Sequence, residues 1–236
     1  MISVCIATYN GETYLREQLD SILLQLGAED ELIISDDGSG DGTIDIINSY
    51  AVEDSRIRFF NGPGKGVIAN FEFAIAQSQG EFIFLADQDD VWLSEKVQTT
   101  LNFFENHPKI DLVISDLVIV DEHLEPIEAS YFDYRKVKLG FLHNIVKNKY
   151  IGAGMAFRSN LKAKILPIPA DVPMHDMWIG LIAAYKNKSG LIPQQLTLYR
   201  RHDNNASEIK TKASFIQQLK WRYVLIKALV KRGVLK

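Results

Sequence analysis

Strand-like and helix-like segments alternate four times over about the first 106 residues, and this alternation is the strongest constraint on what the chain can fold into. Ile2–Ala7 is short, apolar and β-branched, which reads as a buried strand. Leu15, Leu19, Ile22, Leu23 and Leu26 then recur at helical spacing. Glu31–Ser35, Arg56–Phe60 and Glu81–Ala86 read as further strands, and Thr43–Tyr50, Val67–Gln79 and Ser94–Asn106 as the helices between and after them. Such alternation specifies an α/β domain with a mostly parallel central sheet flanked by helices.

In an open parallel sheet, ligands bind beyond the carboxyl ends of the strands. Thr8-Tyr9-Asn10-Gly11 follows the first strand, Asp36-Asp37-Gly38-Ser39 the second, and Asp87-Gln88-Asp89-Asp90 the fourth. The fold brings these distant clusters to one edge. Five carboxylates converging there repel one another unless a cation or donor groups neutralise them. Mg²⁺ or Mn²⁺, which prefer carboxylate and phosphate oxygens, fits that need and binds a nucleotide diphosphate at the same time. No GxxxxGK[ST] or GxGxxG motif is present, so metal and loops must meet the phosphate charge. The Gly62–Gly66 loop with Lys65 is a further phosphate-binding candidate, or simply a turn with a solvated lysine.

The second half is less regular. Leu112–Val120 is strongly strand-like, and 122–150 is mixed, with room for a loop or helix lining an acceptor site. Met155–Phe157 and Leu196–Tyr199 read as short strands and Trp178–Tyr185 as a buried helix. A catalytic domain is expected over 1–209, with a nucleotide-binding half at about 1–110 and an acceptor half at about 111–209. Residues 210–236 are expected to form a basic amphipathic C-terminal helix.

On these motifs the sequence resembles glycosyltransferase family 2, with its GT-A-type fold. VCIATYNGETYL resembles the family's nucleotide-binding start, ISDDGSGDGT its second nucleotide motif, and FLADQDDVW its DxD metal motif. HDMW at 175–178 and YRRHDNNAS at 199–207 resemble later motifs of a rhamnosyltransferase-like branch. The resemblance implies that Thr8, Tyr9 and Asn10 contact base and ribose. Asp37 would bind the base imide with Asp36 assisting, and Glu12, Lys65, Asn70 and Asp87 would belong to the same donor-binding set. Asp89 or Asp90 would bind Mn²⁺ or Mg²⁺, with Asp89 favoured, and His202 would close over metal and diphosphate. Gly152 and Gly154 match a loop near the donor sugar, where small residues permit close backbone approach. Asp176 matches the catalytic base. The implied reaction is a single inverting displacement that moves a sugar, favoured as rhamnose from dTDP-rhamnose and otherwise a UDP-hexose. The acceptor would be a hydroxyl of a saccharide or lipid-linked saccharide in cell-surface polysaccharide assembly.

Plainer readings stand beside these. Asp36–Ser39 suits a turn and helix cap, and Asp87–Asp90 a solvated capping run. Asp176 suits a helix N-cap, a role compatible with catalysis. Trp178 reads as core rather than a sugar platform, Asp116 and Asp121 as turn and edge residues, and His107 and His143 as surface. A nucleotidyltransferase should carry a basic Gly-rich loop after the first strand, where this chain has Glu12. A non-catalytic nucleotide-sugar-binding protein should lack the base or the DxD carboxylates, and here all are present.

Charge supplies the last constraint. The net charge is −4, but residues 210–236 hold eight Lys/Arg and no acid, so the remainder has 18 basic residues against 30 acidic. An acidic body disfavours nucleic acid. In the tail, Phe215, Ile216, Leu219, Tyr223, Ile226, Leu229 and Val230 share a helical face, interleaved with Lys220, Arg222, Lys227, Lys231 and Arg232. Such a helix either lies on an anionic membrane or packs on the domain. The single cysteine, Cys5, sits in an apolar run and reads as core. With no signal-like start and no membrane-length apolar run, the expected place is the cytoplasm, or the inner face of the cell membrane.

Overall fold

The computed structural model describes residues 1–202 and 213–235. Nine strands form one sheet among these residues, in the order β3-β2-β1-β4-β8-β6-β9-β5, with β7 paired to β6. They are β1 (Ile2–Thr8), β2 (Glu31–Asp36), β3 (Ile57–Asn61), β4 (Phe82–Asp87), β5 (Val91–Trp92), β6 (Leu112–Val120), β7 (Pro126–Glu128), β8 (Met155–Arg158) and β9 (Ser189–Arg200). The helices are α1 (Leu15–Leu23), α2 (Thr43–Glu53), α3 (Val67–Gln77), α4 (Lys96–Asn106), α5 (Tyr131–Arg135), α6 (Phe141–Val146), α7 (Lys162–Ile165), α8 (His175–Tyr185) and α9 (Phe215–Lys231).

The parallel sheet expected from the alternation is the first half, β3-β2-β1-β4. The second half makes the whole sheet mixed, because β8 runs antiparallel to both β4 and β6 while β9 is parallel to β6. β2 and β3 lie on one side of β1 and β4 on the other, so the order in which strands are added switches sides between β1 and β4, which run parallel. That crevice is where open α/β sheets bind ligands. Register fixes the details: Thr8 lies opposite Asp36, and Ala7 opposite Asp87.

Side-chain alternation along β1 builds a core on each face. Val4 and Ile6 join Leu15, Leu19, Ile46, Val97 and Phe104 beneath α1, α2 and α4. Cys5 turns the other way, into a cluster with Phe71, Ile75 and Trp178 under α3 and α8, and burial pushes its thiol pKa upward. α8 is apolar nearly all round and accordingly buried from Met177 to Ala184. Gly180 is needed there, because a Cβ would stand 2.3 Å from Cγ of the Tyr150 ring.

β9 is twelve residues long, much longer than the expected Leu196–Tyr199. Pro193 and Gln194 interrupt its apolar pattern, and they fall at a bulge where pairing jumps from Ser115–Ile192 to Asp116–Gln195. A bulge tolerates the proline's missing N–H. Asp116, expected in a turn, is instead buried within β6. Its carboxylate accepts from the Ser130 hydroxyl (2.6 Å), the Phe132 N–H (2.9 Å) and the Gln195 amide (3.2 Å), which fastens α5 to the sheet.

The tail docks on the domain through one face of α9. Leu225 and Leu229 are fully buried in the α8 core, and the Arg232 guanidinium donates to the carbonyls of Lys164 (2.9 Å) and Leu166 (2.6 Å). The opposite face leaves Phe215, Ile216, Leu219, Tyr223, Ile226 and Val230 exposed. Among the described residues, no helix is long and apolar enough to cross a membrane. The expected boundary at 209/210 and the motif residues 203–207 lie outside the described residues.

Trp178 is core, as its sequence context implies. It is fully buried, and its indole N–H donates to the Ile165 carbonyl at 2.9 Å. Trp178→Ala is expected to lower unfolding free energy by about 3–5 kcal/mol. Urea titration of both proteins checks this, and a loss below about 1 kcal/mol would contradict a packed role.

Candidate functional site

The loops at the carboxyl ends of β1 and β2 are cross-linked by short polar side chains. The Asn10 N–H donates to the Ser39 hydroxyl, and the Asn10 side-chain oxygen accepts from the Gly40 N–H, both at 2.8 Å. Asn10 itself has φ 49°, a left-handed conformation that asparagine tolerates. Glu12 accepts from the Gly42 N–H at 2.6 Å, at the start of α2. Asp37 accepts from the N–H groups of Gly64 (2.7 Å) and Gly66 (2.6 Å), so it pins the Gly62–Gly66 loop over the site. Lys65 rides on that loop, exposed. Tyr9, just beyond β1, is 58% exposed.

Three residues expected to touch the nucleotide face inward instead. Thr8 is buried, and its hydroxyl donates to Asp36 at 2.8 Å. Asp36 is also buried, and it accepts from the Ser39 N–H (2.8 Å), the Ser39 hydroxyl (2.6 Å) and the Gly38 N–H (3.1 Å). Asn70, on α3, donates to the carbonyls of Ser35 (2.9 Å) and Thr8 (3.2 Å). These side chains build the loops that Tyr9, Asn10 and Asp37 present. Gln88 belongs to the same construction and was missed from sequence. Its side-chain amide accepts from the Tyr9 N–H (2.9 Å) and donates to the Tyr9 carbonyl (3.1 Å), joining the first and third motifs.

The DQDD segment sends its carboxylates in different directions. Asp89 faces His202, with Nε2 2.8 Å from its carboxylate and both side chains just over one-tenth exposed. The His202 ring leans on Tyr14, at 4.9 Å between centroids. Asp90, the other metal candidate, is fully buried; Oδ1 accepts from the Arg200 N–H at 2.9 Å, and Oδ2 has no hydrogen-bond partner. Burial and the charges of Asp89 and Asp87 push its pKa well up. Asp87 is raised to about 7 by burial, then by Asp89 and Asp176, with Lys96 opposing.

Lys96 is the buried counter-charge, and sequence alone gave no sign of it. Its ammonium donates to the Ala153 carbonyl and the Thr197 hydroxyl, both at 2.6 Å, and sits 4.5 Å from the Trp92 ring centroid. Burial lowers its pKa to about 7 against the pull of Asp90 and Asp87. Arg200 was missed too. It lies 4.4 Å over the Tyr14 ring, donates to the carbonyls of Asp89 (2.8 Å) and Glu122 (2.7 Å), and pairs with Glu17. A basic residue directly after a late strand was the available clue.

Asp176 stands in the first turn of α8, its carboxylate accepting from the Met177 N–H at 2.5 Å. Burial raises its pKa to about 7, opposed by hydrogen bonds from the Met177 and Gly152 amides. Gly152 thus holds Asp176 through its backbone. Gly154 packs inward, where a Cβ would lie 2.6 Å from the Ser115 carbonyl oxygen, so its smallness serves the sheet. In front of Asp176 opens a cleft of about 1290 Å³, walled by residues 131–151, the start of α8 and the first turns of α9.

Asp89 and His202 are the side chains that fit a divalent cation. Two neighbouring ligands each about 2.1 Å from Mg²⁺ lie roughly 3 Å apart, which is near the 2.8 Å seen. No group of three or more His, Cys, Asp or Glu is gathered for a metal among the described residues. A cation here would therefore draw its remaining ligands from diphosphate and water, the usual habit of Mg²⁺.

The mixed sheet, with a crevice of strand-end loops between β1 and β4, has the GT-A class of fold. The model of the family described as "Glycosyl transferase family 2" matches residues 3–160, and the chain belongs to that family. It is 28% identical over 231 residues to an uncharacterized glycosyltransferase of Nostoc sp., covering 93% of this chain and 70% of that one. It is 27% identical over 231 residues to the dTDP-rhamnosyl transferase RfbG of Shigella flexneri, covering 89% and 76%. A Haemophilus influenzae glycosyltransferase is 37% identical over 109 residues, and the match spans only 44% of its length. Among solved structures, the fold is shared with S. aureus TarS 1-349 in complex with UDP-GlcNAc, at TM-score 0.73 and 20% identity, covering 95% of this chain and 66% of that one. It is shared as well with the mannosyltransferase PcManGT of Pyrobaculum calidifontis in complex with GDP-Man and Mn2+, at TM-score 0.62 and 16% identity, covering 98% and 63%.

The raised pKa of Asp176 has a consequence for stability. An acid whose folded pKa lies above its unfolded value stabilises the fold while protonated, and that contribution is lost as pH rises from about 4 through 7. Asp176→Asn removes the buried charge. The variant is expected to be more stable than the parent at pH 8, by on the order of 1–3 kcal/mol given partial solvent screening. At pH 4 the two should be equal. Denaturant titrations at both pH values check this, and a pH-independent difference would contradict it.

Proposed function

We propose that this chain is an inverting, metal-dependent glycosyltransferase using dTDP-rhamnose, with a UDP-hexose as the alternative donor. The observation that carries the reading is Asp176, a carboxylate raised to about 7, placed between the Asp87/Asp89 end of β4 and an open cleft. Likeness to the Shigella rhamnosyl transferase favours rhamnose, and likeness in fold to the UDP-GlcNAc complex favours the alternative.

In this reading Tyr9, Asn10 and Asp37 receive the nucleoside, while Asp87 orients ribose or donor sugar. Asp89 and His202 would hold Mn²⁺ or Mg²⁺, which would offset charge developing on the leaving diphosphate. Asp176 accepts the acceptor hydroxyl proton as that oxygen bonds to the anomeric carbon and the bond to diphosphate breaks. The anomeric configuration inverts in this single displacement. A base of pKa about 7 sets the acid limb, so kcat/KM should climb through pH 7 and level off above it.

Three measurements test the donor site and base together. dTDP or UDP should raise the melting temperature when Mn²⁺ is present and not with chelator; saturation at ~100 times Kd corresponds to about 2.7 kcal/mol. Asp89→Ala should abolish that shift. Asp176→Asn should keep it and lose transfer by about 10²–10⁴-fold. Full transfer activity in Asp176→Asn removes it from the base role, and no shift with any nucleotide removes the donor reading.

We also propose that α9 rests on an anionic membrane at the inner face of the cell membrane, placing the cleft near a lipid-linked acceptor. Its exposed apolar stripe adjoins Leu142 and Val146 of α6, which are 77% and 60% exposed, and Lys220 and Lys227 lie among the stripe residues. Deleting α9 would also remove buried Leu225 and Leu229, so the useful variant changes only the stripe. Leu219→Gln/Tyr223→Ser/Ile226→Gln should fold normally and stay in the supernatant when sedimented with anionic vesicles that pull down the parent. Equal partitioning of the two proteins would sink the idea.

A further inference from the structure

The cleft before Asp176 carries a charge pattern that its role as an acceptor site does not by itself require. Arg135, Lys136, Lys138, Lys147, Lys149 and Arg222 line it, and Asp176 is the one acidic residue among the described lining residues. This basic concentration sits in a chain with net charge −4, so it is a local feature.

Three of the cations are fixed by neutral groups. Lys149 is only 5% exposed, and its ammonium donates to the Arg135 carbonyl. The Arg135 guanidinium donates from Nη2 to the Asn148 carbonyl at 3.2 Å, while its Nη1 is buried with no acceptor. Arg222, on α9, donates to the Val146 carbonyl at 2.7 Å. A buried guanidinium nitrogen without an acceptor is unfavourable unless a ligand supplies one. The cations also repel one another: Lys149 is lowered to about 8 by burial, then by Arg135, Lys147 and Lys136.

We propose that this cleft binds a phosphate or diphosphate group of the acceptor, so that the enzyme glycosylates a phosphate-bearing saccharide. The inference rests on the acceptor-site reading of Asp176 and names the substrate class for it. A phosphate brings nearly two negative charges and three acceptor oxygens, and arginine recognises it through paired N–H donors. A single carboxylate would leave most of six cations unmatched. The donor's own diphosphate does not account for them, because none of the loops at 8–12, 36–42, 62–66 and 87–90 lines this cleft.

The probe is pyrophosphate, titrated calorimetrically onto the full chain in EDTA, which silences a metal-dependent donor site. The parent should bind it, and Arg135→Gln and Lys149→Gln should each weaken binding at least tenfold. Because those two side chains are partly or fully buried, the exposed pair Lys136→Gln/Lys138→Gln supplies a variant that leaves packing alone, expected to bind several-fold more weakly. Phenyl phosphate in solution and a polyprenyl diphosphate in neutral vesicles distinguish a soluble from a lipid-borne phosphate. Binding of either, lost in the variants, supports the shared chemistry. No pyrophosphate binding by the parent, equal binding by all variants, or equal competition by glucuronate overturns it. Nucleotide binding with Mn²⁺, measured on the same proteins, separates the two readings. If it persists while pyrophosphate fails, only the acceptor inference falls; if it is absent in the parent, the donor reading falls on its own account.

Discussion

Like charges crowded at the end of β4 are the constraint around which the molecule is arranged. Asp87, Asp89, Asp90 and Asp176 form one electrostatic group, and burial raises three of them. Without a partner, Asp90 in particular would be an uncompensated charge in the core. The fold answers from three directions: Lys96 from the start of α4, the Arg200 N–H from β9, and the His202 imidazole just beyond it. Lys96 also holds the Ala153 carbonyl, so the turn that carries Gly152, and through it Asp176, is tied to the same balance. Asp176, the candidate metal pair and the Gly152 turn are thus set by one network rather than by three separate loops.

The loops beyond β1 and β2, the candidate nucleotide side, use a different device. They are held by side chains that point away from any ligand, with Thr8, Asp36 and Asn70 stitching β1, β2 and α3 from inside. Gln88 repeats a strand-like pairing with Tyr9 beyond the end of the sheet. Rigid loops of this kind lower the ordering entropy that nucleotide binding must overcome. They also explain why so many polar residues are needed for a site whose exposed members are few.

The strand–helix alternation, the strand-end clusters and the spacing of β1, β2 and β4 were legible because each is a local pattern of period two or 3.6. Which carboxylate of a pair faces outward shows in no local pattern, because it depends on neighbours far along the chain; only the family resemblance favours Asp37 and Asp89. Asp36 is claimed by Thr8 and Ser39, and Asp90 by the backbone of a residue 110 positions away. Lys96 reads as an ordinary polar residue at the start of a helix, and only tertiary packing buries it. Asp116 looked like a turn residue for the same reason: its partners Ser130, Phe132 and Gln195 lie on other elements. The stretch 122–150 stayed illegible because α5 and α6 are five and six residues long, too short to show a period.

That short-helix region and the tail meet at the cleft before Asp176, where both supply lining residues. The two sequence readings of α9, packed helix or membrane helix, are not exclusive, because its two faces differ. Leu225 and Leu229 anchor one face in the α8 core, while Arg222 turns to the α6 carbonyl of Val146 and lines the cleft. The exposed stripe lies on the same helix, so whatever surface covers the stripe is also brought beside the cleft's cations. A substrate with an apolar anchor and a charged linkage to its sugar would meet both features at once. One helix thus combines a packed face, an exposed apolar stripe and, in Arg222, one of the cleft's cations.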